Sequence, residues 1–156
     1  MTALSHGIPP SAALALAERQ CAMYRDVFRI PVEIVAAADA TPTIEMTVCA
    51  SYSVVSMPAR LAWLTLLRQL DVGAIEYPGE ERTRVLTFPD SLDPAGKAAL
   101  ACLDAAVAER GSRVRLPVGG NDPACHWIRK PSVPAYFVRL SELAAVAAAC
   151  EQEVRR

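Results

Sequence analysis

Residues 113–134 read Arg113-Val114-Arg115-Leu116-Pro117-Val118-Gly119-Gly120-Asn121-Asp122-Pro123-Ala124-Cys125-His126-Trp127-Ile128-Arg129-Lys130-Pro131-Ser132-Val133-Pro134. Arg113 to Leu116 alternates polar and apolar, the period of a half-buried strand. Pro117 to Pro123 is turn chemistry: Pro, a Gly pair, then Asn-Asp-Pro. Cys125 to Ile128 alternates again, and Arg129-Lys130-Pro131 closes the unit. A strand, an exposed Gly-rich loop and a second strand result, with cations on both flanks.

Working outward, the same alternation of strand pairs and helices recurs along the chain. Leu14, Ala17, Cys21, Tyr24 and Phe28 recur at spacings of three and four after a potential Ser11 cap, which predicts a helix ended by Pro31. Val32–Ala36 and Thr43–Ala50 read as antiparallel strands around a turn at 37–42, and Tyr52–Val55 can continue the sheet. Ser56-Met57-Pro58 reads as a helix start, followed by a seam of Leu61, Leu64, Leu67 and Leu70 that Trp63 and Leu66 widen. Ala74–Tyr77 and Arg82–Phe88 read as strands around a Pro-Gly turn. Asp93-Pro94 caps a helix running to about Arg110, with Leu100, Leu103 and Val107 inward and Gly111 beyond its end. Ser141 caps a last helix with Leu143, Val146, Ala147, Cys150 and Val154 on one face. No run of strands alternating singly with helices persists. The fold class is therefore α+β, a single domain over 1–156 with a mainly antiparallel sheet, about four helices packed on it and residues 1–10 loose.

Composition narrows the function classes. At 156 residues the chain has a one-domain length, and 53% apolar against 21% charged residues favours a globular protein over a disordered one. A net charge of −1 supplies no overall basic field, so a nucleic-acid surface would have to be a local patch. Fourteen arginines against two lysines suggest coding bias of a GC-rich bacterial genome. The five cysteines form no C-x-x-C pair and read as reduced residues of a cytoplasmic protein, with Cys21, Cys102 and Cys150 on apolar helix faces. The N-terminus lacks a signal-peptide pattern, and no apolar run is long enough to cross a membrane.

Candidate chemistry concentrates near the opening stretch. Arg113 and Arg115 share one strand face; with Arg129, Lys130 and Trp127 they would suit phosphate contacts plus base stacking. Gly119 and Gly120 can turn backbone N–H groups toward an anion, although the loop lacks the G-K-[ST] ending of a phosphate loop. His126 is the only histidine inside a predicted element, His6 lying in the loose N-terminus, and a lone His builds no zinc site; it also has no nucleophile on its face, since Cys125 points the other way. Glu33 and Glu45 sit on adjacent strands and read as the solvated face of a half-buried sheet. No D-x-D or E-x-E lies on a strand to hold two divalent ions. The expectation is thus no catalytic residue, no metal and no cofactor.

Two segments carry a family resemblance. Met23-Tyr24-Arg25-Asp26-Val27-Phe28 followed by Ile30-Pro31-Val32, with Ser56-Met57-Pro58-Ala59, resembles small actinobacterial proteins related to the N-terminal domain of bifunctional DNA primase/polymerases. Leu116-Pro117, the Gly loop and His126–Pro131 are similar to a late strand-loop-strand of that fold. The two touch about a third of the chain. Active members of that family carry an acidic metal-binding pair and an S-x-H nucleotide motif, and neither is present; Cys125-His126-Trp127 does not replace the latter. The resemblance implies a primase/polymerase-like shell without its catalytic centre, binding a nucleotide, a single-stranded nucleic acid or a protein partner near 117–131. The alternative is an interaction or regulatory module, self-associating through the Ala-rich helices predicted at 95–110 and 141–154.

Overall fold

The computed structural model describes residues 10–36, 41–68, 72–131 and 137–156. The expected loose N-terminus, the centre of the 37–42 turn and Leu70 therefore lie outside the described residues, as does the side chain of Val154. The order is α1 (Pro10–Asp26), β1 (Val32–Val35), β2 (Thr43–Thr47), β3 (Ser53–Pro58), α2 (Ala59–Arg68), β4 (Ala74–Glu76), β5 (Arg82–Thr87), α3 (Pro94–Cys102), β6 (Ala106–Val107), β7 (Arg113–Leu116), β8 (His126–Arg129) and α4 (Leu140–Val154). The class is α+β with four helices and antiparallel strands, as expected. The strands form two sheets rather than one, ordered β1-β2-β7 and β6-β3-β5-β4-β8.

The five-stranded sheet is the middle layer, and period-two alternation sends its residues into two cores. Val54, Ile75 and Leu86 join Ile44, Met46, Val114 and Leu116 of the smaller sheet and Ala17, Cys21 and Tyr24 of α1. Val55, Ala74 and Val85 join Leu61, Ala62 and Leu66 of α2, Leu100 of α3 and Leu143, Ala144 and Ala147 of α4. A sheet covered on both faces has little room for polar side chains. Yet Thr83 and Thr87 of β5 lie fully buried with hydroxyls that meet no partner. An orphan buried hydroxyl costs about 1–3 kcal/mol, so Thr83→Val is expected to leave stability unchanged or raise it by up to about 1 kcal/mol in urea denaturation. A loss of that size would mean that the hydroxyl is satisfied.

Several boundaries differ from expectation. Ser11 lies inside α1, which opens at Pro10. That helix stops at Asp26, before Pro31; the chain then turns at Arg29, which is left-handed (φ 58), and the Ile30 N–H reaches back to the Tyr24 carbonyl at 2.9 Å. Leu14 is exposed rather than on the buried face. Ser56 and Pro58 belong to β3, pairing with Arg84 and Arg82, so α2 opens at Ala59. In α2 a step of three residues turns the helix by about 300°, so the Leu61–Leu64–Leu67 seam drifts and Leu67 emerges 71% exposed. The buried set is Leu61, Ala62, Thr65 and Leu66.

The third helix keeps its predicted start: Asp93 caps it, accepting the Gly96 N–H at 2.6 Å, with Pro94 following. It ends eight residues early. Asp104 is left-handed (φ 53), Arg82 holds both its carboxylate and its carbonyl, and the chain turns into β6 against Ser56 and Val55. Val107 is accordingly an exposed edge residue and Cys102 is exposed, whereas Cys21 and Cys150 are buried; all five cysteines are free. At α4, Ser141 is not the cap. Asp90 accepts both the Ser141 N–H and its hydroxyl.

Candidate functional site

Strands β7 and β8 do not pair with each other. The former joins β2, with Arg115 opposite Glu45, and the latter joins β4, with His126 opposite Glu76. Residues 117–125 are therefore the crossing from one sheet to the other, and three anchors hold that crossing.

The first anchor is Tyr24, wholly buried on α1. Its hydroxyl donates to the Pro117 carbonyl at 2.7 Å and accepts from Trp127 Nε1 at 2.8 Å, with the two rings 6.0 Å apart. Burial pushes its pKa up to about 12 against the opposing hydrogen bond from Trp127, so it stays a neutral phenol. The second is Tyr77, whose hydroxyl donates to the Arg115 carbonyl at 2.5 Å under an Arg84 guanidinium 3.9 Å from its ring. The third is Asp122, whose side chain is 3% exposed. It accepts the N–H groups of Val118 (3.0 Å) and Ala124 (2.9 Å) and the Arg115 guanidinium (3.2 Å), and the Cys125 thiol lies 3.9 Å away. Burial alone would raise its pKa; the two backbone donors and Arg115 outweigh that and hold it below the usual carboxylate range.

Beside these anchors lies a cavity of about 200 Å³ lined by Gln20, Tyr24, Gly119, Gly120, His126, Trp127 and Lys130. Five of the eight sequence-nominated residues thus meet at one concavity. Gly120 is exposed, and a Cβ there would meet nothing within 4 Å. His126 Nε2 lies 3.0 Å from Glu76 Oε2. Trp127 is half-buried, packed against the first core and pinned by Tyr24, and it lines the cavity.

The four cations do not converge. Arg113 lies between Glu33 (2.8 Å) and Glu45 (3.3 Å), which the β1–β2 register places opposite each other on the solvated sheet face. Arg115 is turned to Asp122, with its Nε buried and unpartnered. Arg129 donates to the Leu66 carbonyl at 2.7 Å. Lys130 alone of the four lines the cavity. Cys125 and His126 engage different partners, and burial pushes the Cys125 thiol up to about 12, which leaves it unionised at neutral pH. Among the described residues no three His, Cys, Asp or Glu side chains are placed to hold a metal ion. No described helix is long and apolar enough to cross a membrane.

Gln20, Tyr24, Glu76 and Asp122 were not nominated from the sequence. A tyrosine on a buried helix face needs a partner for its hydroxyl, and an Asp in a turn commonly accepts the N–H two residues on, as Asp122 does from Ala124. Those were the available signals. Compared with family models, with curated proteins and with solved structures, the chain matches none.

Proposed function

We propose that the chain is a non-catalytic binding domain that takes a small phosphate-bearing ligand, a nucleotide first, in the cavity between α1, the 117–125 crossing and β8. The observation that carries this reading is the meeting of Gly119, Gly120, His126, Trp127 and Lys130 at one concavity. Lys130 supplies the cation, the glycine pair lets an anion approach the backbone, and Trp127 offers aromatic surface in the lining. At about 200 Å³ the space is below the usual range of roughly 300–1,000 Å³ for a ligand pocket, which suits a phosphate end with the remainder outside. The resemblance to primase/polymerase N-terminal domains favours a nucleotide among phosphate ligands. A long single strand fits less well, because Arg113 and Arg115 already face carboxylates.

Calorimetric titration with nucleoside triphosphates and with pyrophosphate at low salt tests this. Binding is expected, and Lys130→Ala should weaken it about tenfold or more, the worth of one charge-assisted contact. Any single-stranded oligonucleotide bound should show a slope of log affinity against log salt of about −0.7, the value for one phosphate. Absence of heat with every nucleotide overturns the ligand class. Metal-dependent primer synthesis or extension by the purified protein overturns the non-catalytic part.

A further inference from the structure

We infer that the solvent face of α2 docks an acidic amphipathic helix of a partner protein. On a helical projection Arg60, Trp63, Leu64 and Leu67 fall within about 100° of one another, opposite the buried Leu61, Ala62, Thr65 and Leu66. A surface helix ordinarily carries polar residues there. Here Trp63 is 51% and Leu67 71% exposed, the two most exposed large apolar side chains among the described residues. Beside this ridge runs a groove of about 280 Å³ between α2 and the turn after α3, with Leu64 and Leu103 in its lining. A ridge and groove bearing a tryptophan and an arginine have the composition of an interface centre.

Charge decides the occupant. The carboxylates around the groove already have cations: Asp104 pairs with Arg82, Glu151 with Arg155 and Glu153 with Arg68. Arg60 is exposed and has no carboxylate within ion-pair distance among the described residues. A second copy docking face to face would bring α2 against α2. That helix, A-R-L-A-W-L-T-L-L-R, contains no Asp or Glu to meet Arg60. A partner helix with apolar residues on one face and glutamates at its border supplies both the apolar cover and the missing anion.

The test is fluorescence anisotropy of two labelled synthetic helices with leucines at i, i+3, i+4 and i+7, one flanked by glutamates and the other by lysines. The glutamate peptide should bind saturably, and the lysine peptide more weakly. Trp63→Ala and Leu67→Ser should each weaken the first by about tenfold or more, as hot-spot losses do. Both positions are exposed, so circular dichroism should be unchanged. Arg60→Glu should reverse the preference between the peptides. No saturable binding of the glutamate peptide overturns the docking surface. Equal binding of both peptides, or an unchanged preference in Arg60→Glu, overturns its charge selectivity. A dimer in sedimentation equilibrium that Leu67→Ser abolishes overturns the partner by putting a second copy on the face. None of these readouts involves Lys130 or nucleotides, so they stand or fall apart from the cavity.

Discussion

Asp122→Ala is expected to destabilise the protein by about 2–4 kcal/mol, the loss of charge-assisted bonds to two backbone N–H groups and to a guanidinium that is itself partly exposed. The carboxylate is almost wholly enclosed and serves two backbone N–H groups and one guanidinium at once. Its loss orphans the donors of Val118 and Ala124 and leaves Arg115, whose Nε is already buried without a partner, facing no anion. Urea denaturation measures the change. Arg115→Ala should cost less, because Asp122 keeps its two backbone donors. The pH dependence has a definite sign. Asp122 has a native pKa below its unfolded value, so its contribution is complete above about pH 4–5 and is lost as pH falls through the depressed native pKa. Asp122→Asn should therefore flatten the acid limb of the stability curve. If Asp122→Ala costs under about 1 kcal/mol, the crossing is held by its other anchors, since a buried charge-assisted bond is worth more than that.

The sequence made the local part of this arrangement legible and hid the distant part. Arg113–Leu116 announced itself by alternation and is strand β7 with the bounds read from it. Asp93-Pro94 announced the start of α3 because cap and N1 proline are adjacent in the chain. The end of that helix was hidden. Residues 103–110 contain good helix formers, and what stops them is Arg82, more than twenty residues away, gripping Asp104. The cap of α4 was hidden likewise, since Asp90 lies fifty-one residues before Ser141. The site divides in the same way. Gly119, Gly120, His126, Trp127 and Lys130 are near in sequence and share one cavity. The expected cluster of four cations failed to converge because each arginine found another acceptor: Glu33 and Glu45 across the smaller sheet and the Leu66 carbonyl from α2, all distant in sequence, and Asp122 seven residues on in the loop. A count of basic residues cannot show which of them the fold has already neutralised.

Trp127→Ala is expected to cost about 3–4 kcal/mol, toward the lower end for truncating a large aromatic because its ring is only half-buried. Two effects add. The ring leaves the first core, where it lies against Tyr24 and within 3.4 Å of where a Cβ on Gly73 would stand. The Tyr24 hydroxyl also loses the indole N–H it accepts. Tyr24→Phe keeps the ring and removes only the hydroxyl, which orphans Trp127 Nε1 and the Pro117 carbonyl, so about 1–2 kcal/mol should go. The two residues share a bond, so the double variant should lose less than the sum of the singles. A strictly additive cycle would mean that the hydroxyl and the indole act independently. The same pair separates support from recognition in the cavity. Tyr24→Phe leaves Lys130 and the glycine pair in place, so if the hydroxyl only positions the crossing, nucleotide affinity should fall no more than the loop's loosening requires. If affinity falls by tenfold or more while the melting midpoint barely moves, the phenol itself contacts the ligand, and Tyr24 joins Lys130 as a binding residue.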